Sequence, residues 1–157
     1  MNKTPHYLVI GAGIAGLSCA RLLHDVGFGV TVVDKSRGPA GRMSTRRGAD
    51  WACDHGAQYF TARDPAFSAE VERWQREGVA ALWQPRLKVF EDAAGRTADK
   101  QDERFVGLPR MTAPARLLAE GLSLQTGLTA VALHRECAAW QLETAEKGRI
   151  DGLFDGV

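Results

Sequence analysis

The sequence predicts an α/β fold in which helices flank a parallel sheet, and three observations near its start predict it. An apolar run, Tyr7-Leu8-Val9-Ile10, leads directly into Gly11-Ala12-Gly13-Ile14-Ala15-Gly16, which has the spacing G-x-G-x-x-G. A helical pattern follows, and a second apolar run, Val30-Thr31-Val32-Val33, ends on Asp34. This order is typical of a dinucleotide-binding βαβ unit. The alternative is a chance glycine-rich turn, which the acid at the end of the second run disfavours.

The glycines of this turn have separate predicted roles. Gly11 allows the tight turn out of the strand, Gly13 leaves room for a pyrophosphate, and Gly16 lets the helix lie close to the strand. The first N–H groups of the helix and the positive end of its dipole favour a phosphate. A carboxylate at Asp34 is placed to reach a ribose hydroxyl. The predicted binding residues of this unit are Gly11, Ala12, Gly13, Ile14, Ala15, Gly16, Asp34 and Lys35.

The composition is that of an ordinary globular protein. The chain has 157 residues, of which 45% are hydrophobic and 25% charged, with a net charge of +1. This charge gives no general attraction to nucleic acid or to a membrane, and no apolar run is long enough to span a bilayer. Three scattered cysteines without C-x-x-C spacing, and no signal-peptide pattern, predict a cytoplasmic protein. Cys53-Asp54-His55 are adjacent and unsupported by a second ligand pair, so we predict no metal site.

The next elements follow from periodicity and capping. The first helix is predicted from Ile14 to Val26, ends at Gly27, and should turn Leu22, Leu23 and Val26 inward. The stretch from Lys35 to Ala49 is rich in Gly, Pro and Arg and predicts a loop. A second helix begins with the cap Asp64 and with Pro65, and ends at Gly78.

The segment from Leu82 to Phe90 alternates in polarity and predicts an edge strand, since it contains Pro85. A turn at 91–96 and a return strand that ends near Val106 complete a hairpin. We therefore predict that residues 79–106 are an excursion into a substrate domain. Residues 1–78 and 107–157 are predicted to form the dinucleotide-binding domain, incomplete at its C-terminal end.

The C-terminal part predicts a short helix and further strands. Thr112 caps the helix and Gly121 ends it, and strands are expected at Leu128–Leu133 and Ala138–Thr144, with a turn at 146–148. Leu153-Phe154-Asp155-Gly156-Val157 resembles the start of another strand, so we expect this sequence to belong to a longer protein.

Two other stretches favour ligand contacts. In Arg37–Met43, small residues allow a tight turn, and Arg42 can pair with two phosphate oxygens; a solvated basic loop is the alternative. In Asp54–Phe60, Gly56 and Ala57 permit close approach to a flat group, Gln58 can donate and accept hydrogen bonds, and Tyr59 offers a ring. The alternative there is a turn into a core strand, and the residues alone leave both open.

Together, Gly11–Gly16, Asp34, Arg37–Met43 and Gly56–Phe60 resemble the flavin-containing amine oxidase superfamily, and within it the renalase-like members. The resemblance is clearest over the first 65 residues. Two positions depart from the pattern: Asp34 stands where many members have Glu, and Ala40 stands where a glycine pair is usual.

The resemblance implies a Rossmann-type FAD-binding domain and the start of a substrate domain with a mixed sheet. It implies that Asp34 binds the adenosine ribose and that Arg42 and Met43 lie at the diphosphate region. Gly56, Ala57, Gln58 and Tyr59 would lie beside the isoalloxazine. Leu128, in Gln125-Thr126-Gly127-Leu128, would touch the adenine through its backbone.

The expected function is that of an FAD-dependent oxidase. The resemblance implies oxidation of an isomeric dihydronicotinamide dinucleotide, with O2 as acceptor and H2O2 as product. The alternatives are an amine oxidase, a truncated FAD-binding module without catalysis, and an NAD-binding domain, which would not need Arg37–Met43 and Gly56–Phe60. No acid–base residue is predicted, because hydride transfer from an electron-rich ring requires none.

Overall fold

The computed structural model describes residues 4–86, 88–89, 96–97 and 103–157. Two compact units share the chain: Met1–Ser44 with Ala115–Val157, and Thr45–Pro114. This division differs from the predicted domains, because the predicted 79–106 excursion lies inside the second unit together with 45–78 and 107–114. The roles assigned to the predicted domains stay predictions.

The described residues form twelve strands, three α-helices and one 3-10 turn. In chain order they are β1 (His6–Ile10), α1 (Ile14–Asp25), β2 (Gly29–Asp34), a 3-10 turn (Gly41–Met43), β3 (Thr45–Arg47), β4 (Ala52–Asp54), α2 (Pro65–Arg76), β5 (Ala80–Trp83), β6 (Lys88–Val89), β7 (Arg96–Thr97), β8 (Arg104–Gly107), α3 (Ala113–Ala119), β9 (Ser123–Thr126), β10 (Ala130–Glu136), β11 (Ala139–Thr144) and β12 (Gly148–Arg149). Among the described residues, no helix has the length and apolar composition that crossing a bilayer requires.

The first unit is built on a parallel sheet of order β1-β2-β9, which confirms the predicted βαβ unit. Tyr7 lies opposite Val30, and Thr31 lies opposite Ser123. The strand β9 was not predicted, because Ser123–Thr126 is short and mostly polar. The predicted last strand, at 153–157, forms isolated bridges instead: a parallel one from Gly156 to Tyr7, with the Leu8 N–H donating to the Gly156 carbonyl at 2.9 Å, and an antiparallel one from Phe154 to Trp140.

The two faces of the parallel sheet are covered by different elements. On one face, residues of the sheet pack with residues of the antiparallel sheet β10-β11-β12, in a buried cluster of Leu8, Val33, Leu128, Leu142, Ile150 and Phe154. Burial of each large apolar side chain contributes roughly 1.5–3 kcal/mol. The other face, which carries Val9 and Val32, is the face on which α1 lies.

The predicted inward face of α1 is wrong in part. Leu22 and Val26 are 67% and 62% exposed, whereas Leu17 and Ala20 are fully buried. The reason is helical spacing: Gly16, Leu17 and Ala20 share one stripe, and Leu22 lies on the opposite side of the helix. Arg21, near the edge of the inward stripe, donates to the Leu118 carbonyl at the end of α3.

The second unit contains an aromatic core beneath a strand pair. Strand β5 pairs antiparallel with β8, which confirms the predicted return strand, and Phe60 bridges Phe105. The Asp64 carboxylate accepts from the N–H groups of Ala66 and Phe67, both at 3.0 Å, so the predicted cap of α2 is confirmed. The core rings are Phe60, Phe67, Trp74 and Phe105. The predicted positions Leu87 and Phe90 and the turn at 91–95 lie outside the described residues.

The predicted loop from Lys35 to Ala49 is wrong at its end, because Thr45–Arg47 forms β3 and pairs with β4. Both strands are largely exposed and polar, so no hydrophobic alternation marks them. Asp54 stabilises this ribbon: its carboxylate accepts from the Thr45 hydroxyl at 2.5 Å and from the Met111 N–H at 3.2 Å.

Ala40 has a backbone conformation that normally requires glycine. Its φ is +126° and its ψ is −19°, and its side chain is 1% exposed. A conformation of this kind costs a residue with a Cβ about 1–3 kcal/mol. The sequence therefore places a strained residue at the position where the superfamily pattern has glycine.

We predict that Ala40→Gly raises the free energy of unfolding by about 0.5–1 kcal/mol. Relief of strain exceeds the loss of a buried methyl group, ~0.8 kcal/mol, and the added freedom of the unfolded chain, ~0.5 kcal/mol. The matched control is Ala69→Gly on the exposed side of α2, which should cost about 1 kcal/mol. Urea denaturation measures both, and a loss of stability in both variants would contradict the assignment of strain.

Candidate functional site

The glycine turn between β1 and α1 has the geometry that its sequence predicts. Gly11 has a φ of +107° and its N–H donates to the Val33 carbonyl at 2.7 Å. A Cβ on Gly16 would lie 2.0 Å from the Gly11 carbonyl oxygen, whereas a Cβ on Gly13 would meet no atom within 4 Å. The predicted turn at Gly11 and close packing at Gly16 are thus confirmed. Gly13 faces open space, which its predicted role beside a pyrophosphate requires.

The start of α1 is open to an anion. Gly13 is the N-cap, the first turn of the helix contains no acid, and no side chain of the described residues caps the helix. The Leu17 N–H bonds the Gly13 carbonyl at 2.9 Å, so the N–H groups of Ile14, Ala15 and Gly16 precede the first intrahelical bond. These donors, together with the helix dipole, can hold a phosphate.

Asp34 connects the ends of the two central strands. Its Oδ2 accepts from the Ala12 N–H and its Oδ1 from the Ser36 N–H, both at 2.6 Å. Its backbone carbonyl accepts from the Leu128 N–H at 3.1 Å. The structure therefore brings three predicted site residues together, although the Leu128 N–H is already used within the protein.

A second loop lies against the glycine turn. The Ala40 N–H donates to the Ala12 carbonyl at 2.9 Å, and Ala40 bridges Gly13. A Cβ on Gly41 would lie 3.1 Å from the Gly13 Cα, so the two backbones are close. Met43, at the end of the 3-10 turn, is buried, whereas Arg42 is exposed and has no ion-pair partner among the described residues. Lys35 is also exposed.

The remaining predicted residues belong to the second unit. Gly56 and Gln58 are exposed and Ala57 is half-buried. The Tyr59 ring is 38% exposed; the Arg104 guanidinium carbon lies 4.6 Å from its centroid, and the Trp83 ring centroid lies 5.9 Å away.

Sequence reasoning missed Ser36, Trp83 and Arg104, which contact predicted site residues. Ser36 supplies a backbone N–H to Asp34, and a backbone donor leaves no signal in the residue type. Trp83 lies within the strand predicted from Leu82 to Phe90, but its pairing with Arg104 depends on the β5–β8 register. The sequence predicts the two strands but not the register that aligns Trp83 with Arg104, because the register depends on the length of the turn between them.

We predict that Gly16→Ala and Gly13→Ala differ in their effect on stability. The free energy of unfolding should fall by about 2 kcal/mol in the Gly16 variant. Overpacking against a fixed carbonyl costs ~3 kcal/mol, whereas alanine gains only ~1 kcal/mol over glycine within a helix. The Gly13 variant should lose less than about 1 kcal/mol, the difference between these residues at an N-cap. Thermal or urea unfolding of both variants measures the difference, and equal losses would contradict the packing role of Gly16.

Comparison with known proteins finds a family model that matches the first part of the chain. Residues 9–74 match the family described as NAD(P)-binding Rossmann-like domain. The chain is 36% identical over 129 residues to a hydroxyneurosporene desaturase of Rubrivivax gelatinosus, covering 69% of this chain and 25% of that protein. It is 41% identical over 59 residues to an L-amino-acid oxidase of Siganus canaliculatus, covering 36% of this chain and 11% of that protein.

A solved structure shows the same fold at lower identity. An FAD-containing monooxygenase of Photorhabdus luminescens matches with a TM-score of 0.60 and 18% identity, over 98% of this chain and 39% of that chain. The present chain thus spans about a quarter of the length of the desaturase and well under half of the monooxygenase. From residue 9 to residue 74 the chain is a Rossmann-like NAD(P)-binding domain, and its sequence is similar to that of a desaturase and of an L-amino-acid oxidase.

Proposed function

We propose that this protein is an FAD-dependent oxidoreductase. The observation that carries the proposal is the pair of glycine loops held together at the ends of β1 and β2, beside the open start of α1. The Ala40 N–H to Ala12 carbonyl bond and the Gly13–Ala40 bridge join these loops. An NAD site needs only the first loop, whereas a second loop that carries an unpaired arginine suits the longer flavin dinucleotide.

The residues present fit FAD. The diphosphate is assigned to the N–H groups of Ile14, Ala15 and Gly16 and to the exposed Arg42, beside the open space at Gly13. A guanidinium offers two parallel donors to phosphate oxygens. Lys35 and Met43 complete the assigned cofactor residues of this unit. When bound, FAD takes up a hydride and returns the electrons to an acceptor.

Asp34 is assigned to the ribose of FAD. A carboxylate has about four lone-pair directions, and the Ala12 and Ser36 N–H groups use two of them. The others remain for ribose hydroxyls. Leu128, whose N–H bonds the Asp34 carbonyl, is assigned to the adenine. Gly56, Ala57, Gln58 and Tyr59 are assigned to the flavin ring, as the resemblance implies.

The proposed substrate is an isomeric dihydronicotinamide dinucleotide, with O2 as acceptor and H2O2 as product, in line with the renalase-like motif at Gly56–Asp64. A second candidate is oxidation of an amine or amino acid, and the similarity to an L-amino-acid oxidase favours it. A module that binds FAD without catalysis is the third. Peroxide release measured with dihydronicotinamides, with amines and without substrate separates the three.

The absorption spectrum of the purified protein tests the cofactor. We expect bound flavin, seen near ~450 nm, and loss of flavin when Arg42 is replaced by Ala, with partial loss in Arg42→Lys because lysine offers a point charge instead of a fork. The matched control is Arg76→Ala at the exposed end of α2. A folded, colourless protein that takes up no added FAD would refute the proposal, and full flavin occupancy in both Arg42 variants would refute the role of Arg42.

We predict that Asp34→Ala weakens FAD binding at least tenfold, whereas Asp25→Ala on the exposed side of α1 leaves it unchanged. Each charge-assisted hydrogen bond to the ribose contributes ~1.5–3 kcal/mol. Titration of the apoprotein with FAD, followed by quenching of flavin fluorescence, gives both dissociation constants. Since Asp34 also holds the Ala12 N–H, Asp34→Asn serves as a second variant that keeps the shape of the side chain. Equal constants for the Asp34 and Asp25 variants would contradict the ribose assignment.

A further inference from the structure

Trp83 and Arg104, on one face of the β5–β8 pair, have no role in the proposed cofactor site, and both lie beside Tyr59, which is assigned to the flavin ring. Trp83 and Arg104 lie opposite each other in the register of the two strands. The Arg104 guanidinium carbon lies 4.6 Å from the centroid of the Tyr59 ring, and the Trp83 ring centroid lies 5.9 Å from it at an interplanar angle of 38°. Tyr59, Trp83 and Arg104 thus form one continuous surface, the ring–arginine surface.

This surface is not part of the core of its unit. Successive residues of a strand point to opposite faces, so Phe105 points away from the Arg104 side chain. Phe105 is 7% exposed and stacks on Phe60, whereas Tyr59 and Trp83 are 38% and 39% exposed. Packing of the core therefore accounts for Phe105 but leaves two large rings in contact with solvent.

Arg104 carries a charge that no carboxylate among the described residues pairs with. In the part of the chain that the structure describes, no carboxylate forms an ion pair with Arg104, and its contact is the face of the Tyr59 ring. A guanidinium remains protonated at any physiological pH, and stacking on a ring leaves its N–H edge free for hydrogen bonds. A half-buried cation that no described carboxylate pairs with favours an anion.

We propose that the ring–arginine surface binds a planar ring that carries negative charge. The ring of the ligand stacks against the exposed part of Trp83 and Tyr59, and a carboxylate or phosphate of the ligand pairs with the N–H edge of Arg104. The same charge repels a protonated amine. If this ligand is the substrate, the proposal rests on the proposed oxidoreductase function. The charge of Arg104 then favours an anionic dinucleotide or a carboxylate-bearing substrate over a simple amine.

Three small ligands of one shape test the charge preference. Benzoate, benzamide and benzylamine share a phenyl ring and differ in charge, and the full-length protein is titrated with each. Binding is followed by quenching of tryptophan fluorescence, and Trp83→Phe identifies the part of the signal that arises at the surface. We expect benzoate to bind about tenfold or more tightly than benzylamine, with benzamide between them.

Variants of the arginine separate binding from structure. Arg104→Gln should weaken benzoate binding about tenfold and leave benzamide within about twofold, while Arg104→Lys keeps part of the preference. Arg76→Gln on α2 is the matched control and should change none of the constants. Unfolding temperatures are measured for every variant. A purely structural role of Arg104 would lower the stability and leave benzoate binding unchanged, and that result would overturn the proposal.

Ligand binding at the ring–arginine surface and flavin binding are measured by two separate signals. Flavin occupancy is read from the absorption near ~450 nm, whereas the ring titration uses tryptophan fluorescence of the same samples. A colourless protein that still prefers benzoate would refute the proposed function and retain the site. A flavoprotein that binds benzylamine as tightly as benzoate, or that binds none of the three ligands, would retain the function and refute the site.

Discussion

The hydrogen bonds of the Asp34 carboxylate are the interaction on which the arrangement of the candidate site depends. The Ala12 N–H lies in the turn after β1 and the Ser36 N–H lies just after β2, so one side chain holds the exits of two neighbouring strands. The backbone of Asp34 extends this connection, since its carbonyl accepts from the Leu128 N–H. A carboxylate that accepts two backbone N–H groups makes strong, charge-assisted bonds. The loops around it are thus fixed before any ligand arrives.

The part of the fold that could be predicted is the part encoded by neighbouring residues. The βαβ unit and the start of α2 follow from apolar runs, from glycine spacing and from the Asp64 cap, all of which act within a few positions of the chain. The elements that were missed depend on distant partners. Strand β9 gains its place through pairing with β2, and β3 and β4 form an exposed ribbon in which no alternation of polarity is required.

The site likewise contains some features that neighbouring residues encode and others that depend on distant partners. The requirement for glycine at Gly16 could be predicted because backbone geometry allows nothing larger where α1 meets β1. The predicted inward face of α1 is wrong in part because large apolar residues do not mark the packed stripe. Gly16 and Ala20 mark it, since only small residues fit there. Trp83 and Arg104 are brought together by the register of two strands separated by twenty residues of chain, and no local pattern predicts such a register.

The two positions at which the sequence departs from the superfamily pattern meet at one residue. Ala12 is fully buried; its N–H donates to Asp34, and its carbonyl accepts from Ala40. The shorter arm of Asp still reaches the turn after β1, since the Ala12 N–H lies 2.6 Å from the Asp34 carboxylate. Ala40, whose N–H bonds the carbonyl of Ala12, has a φ of +126°. Sites that share a partner are coupled in energy. The strained Ala40 and the short carboxylate of Asp34 therefore act on the same residue, in the turn to which the phosphates are assigned.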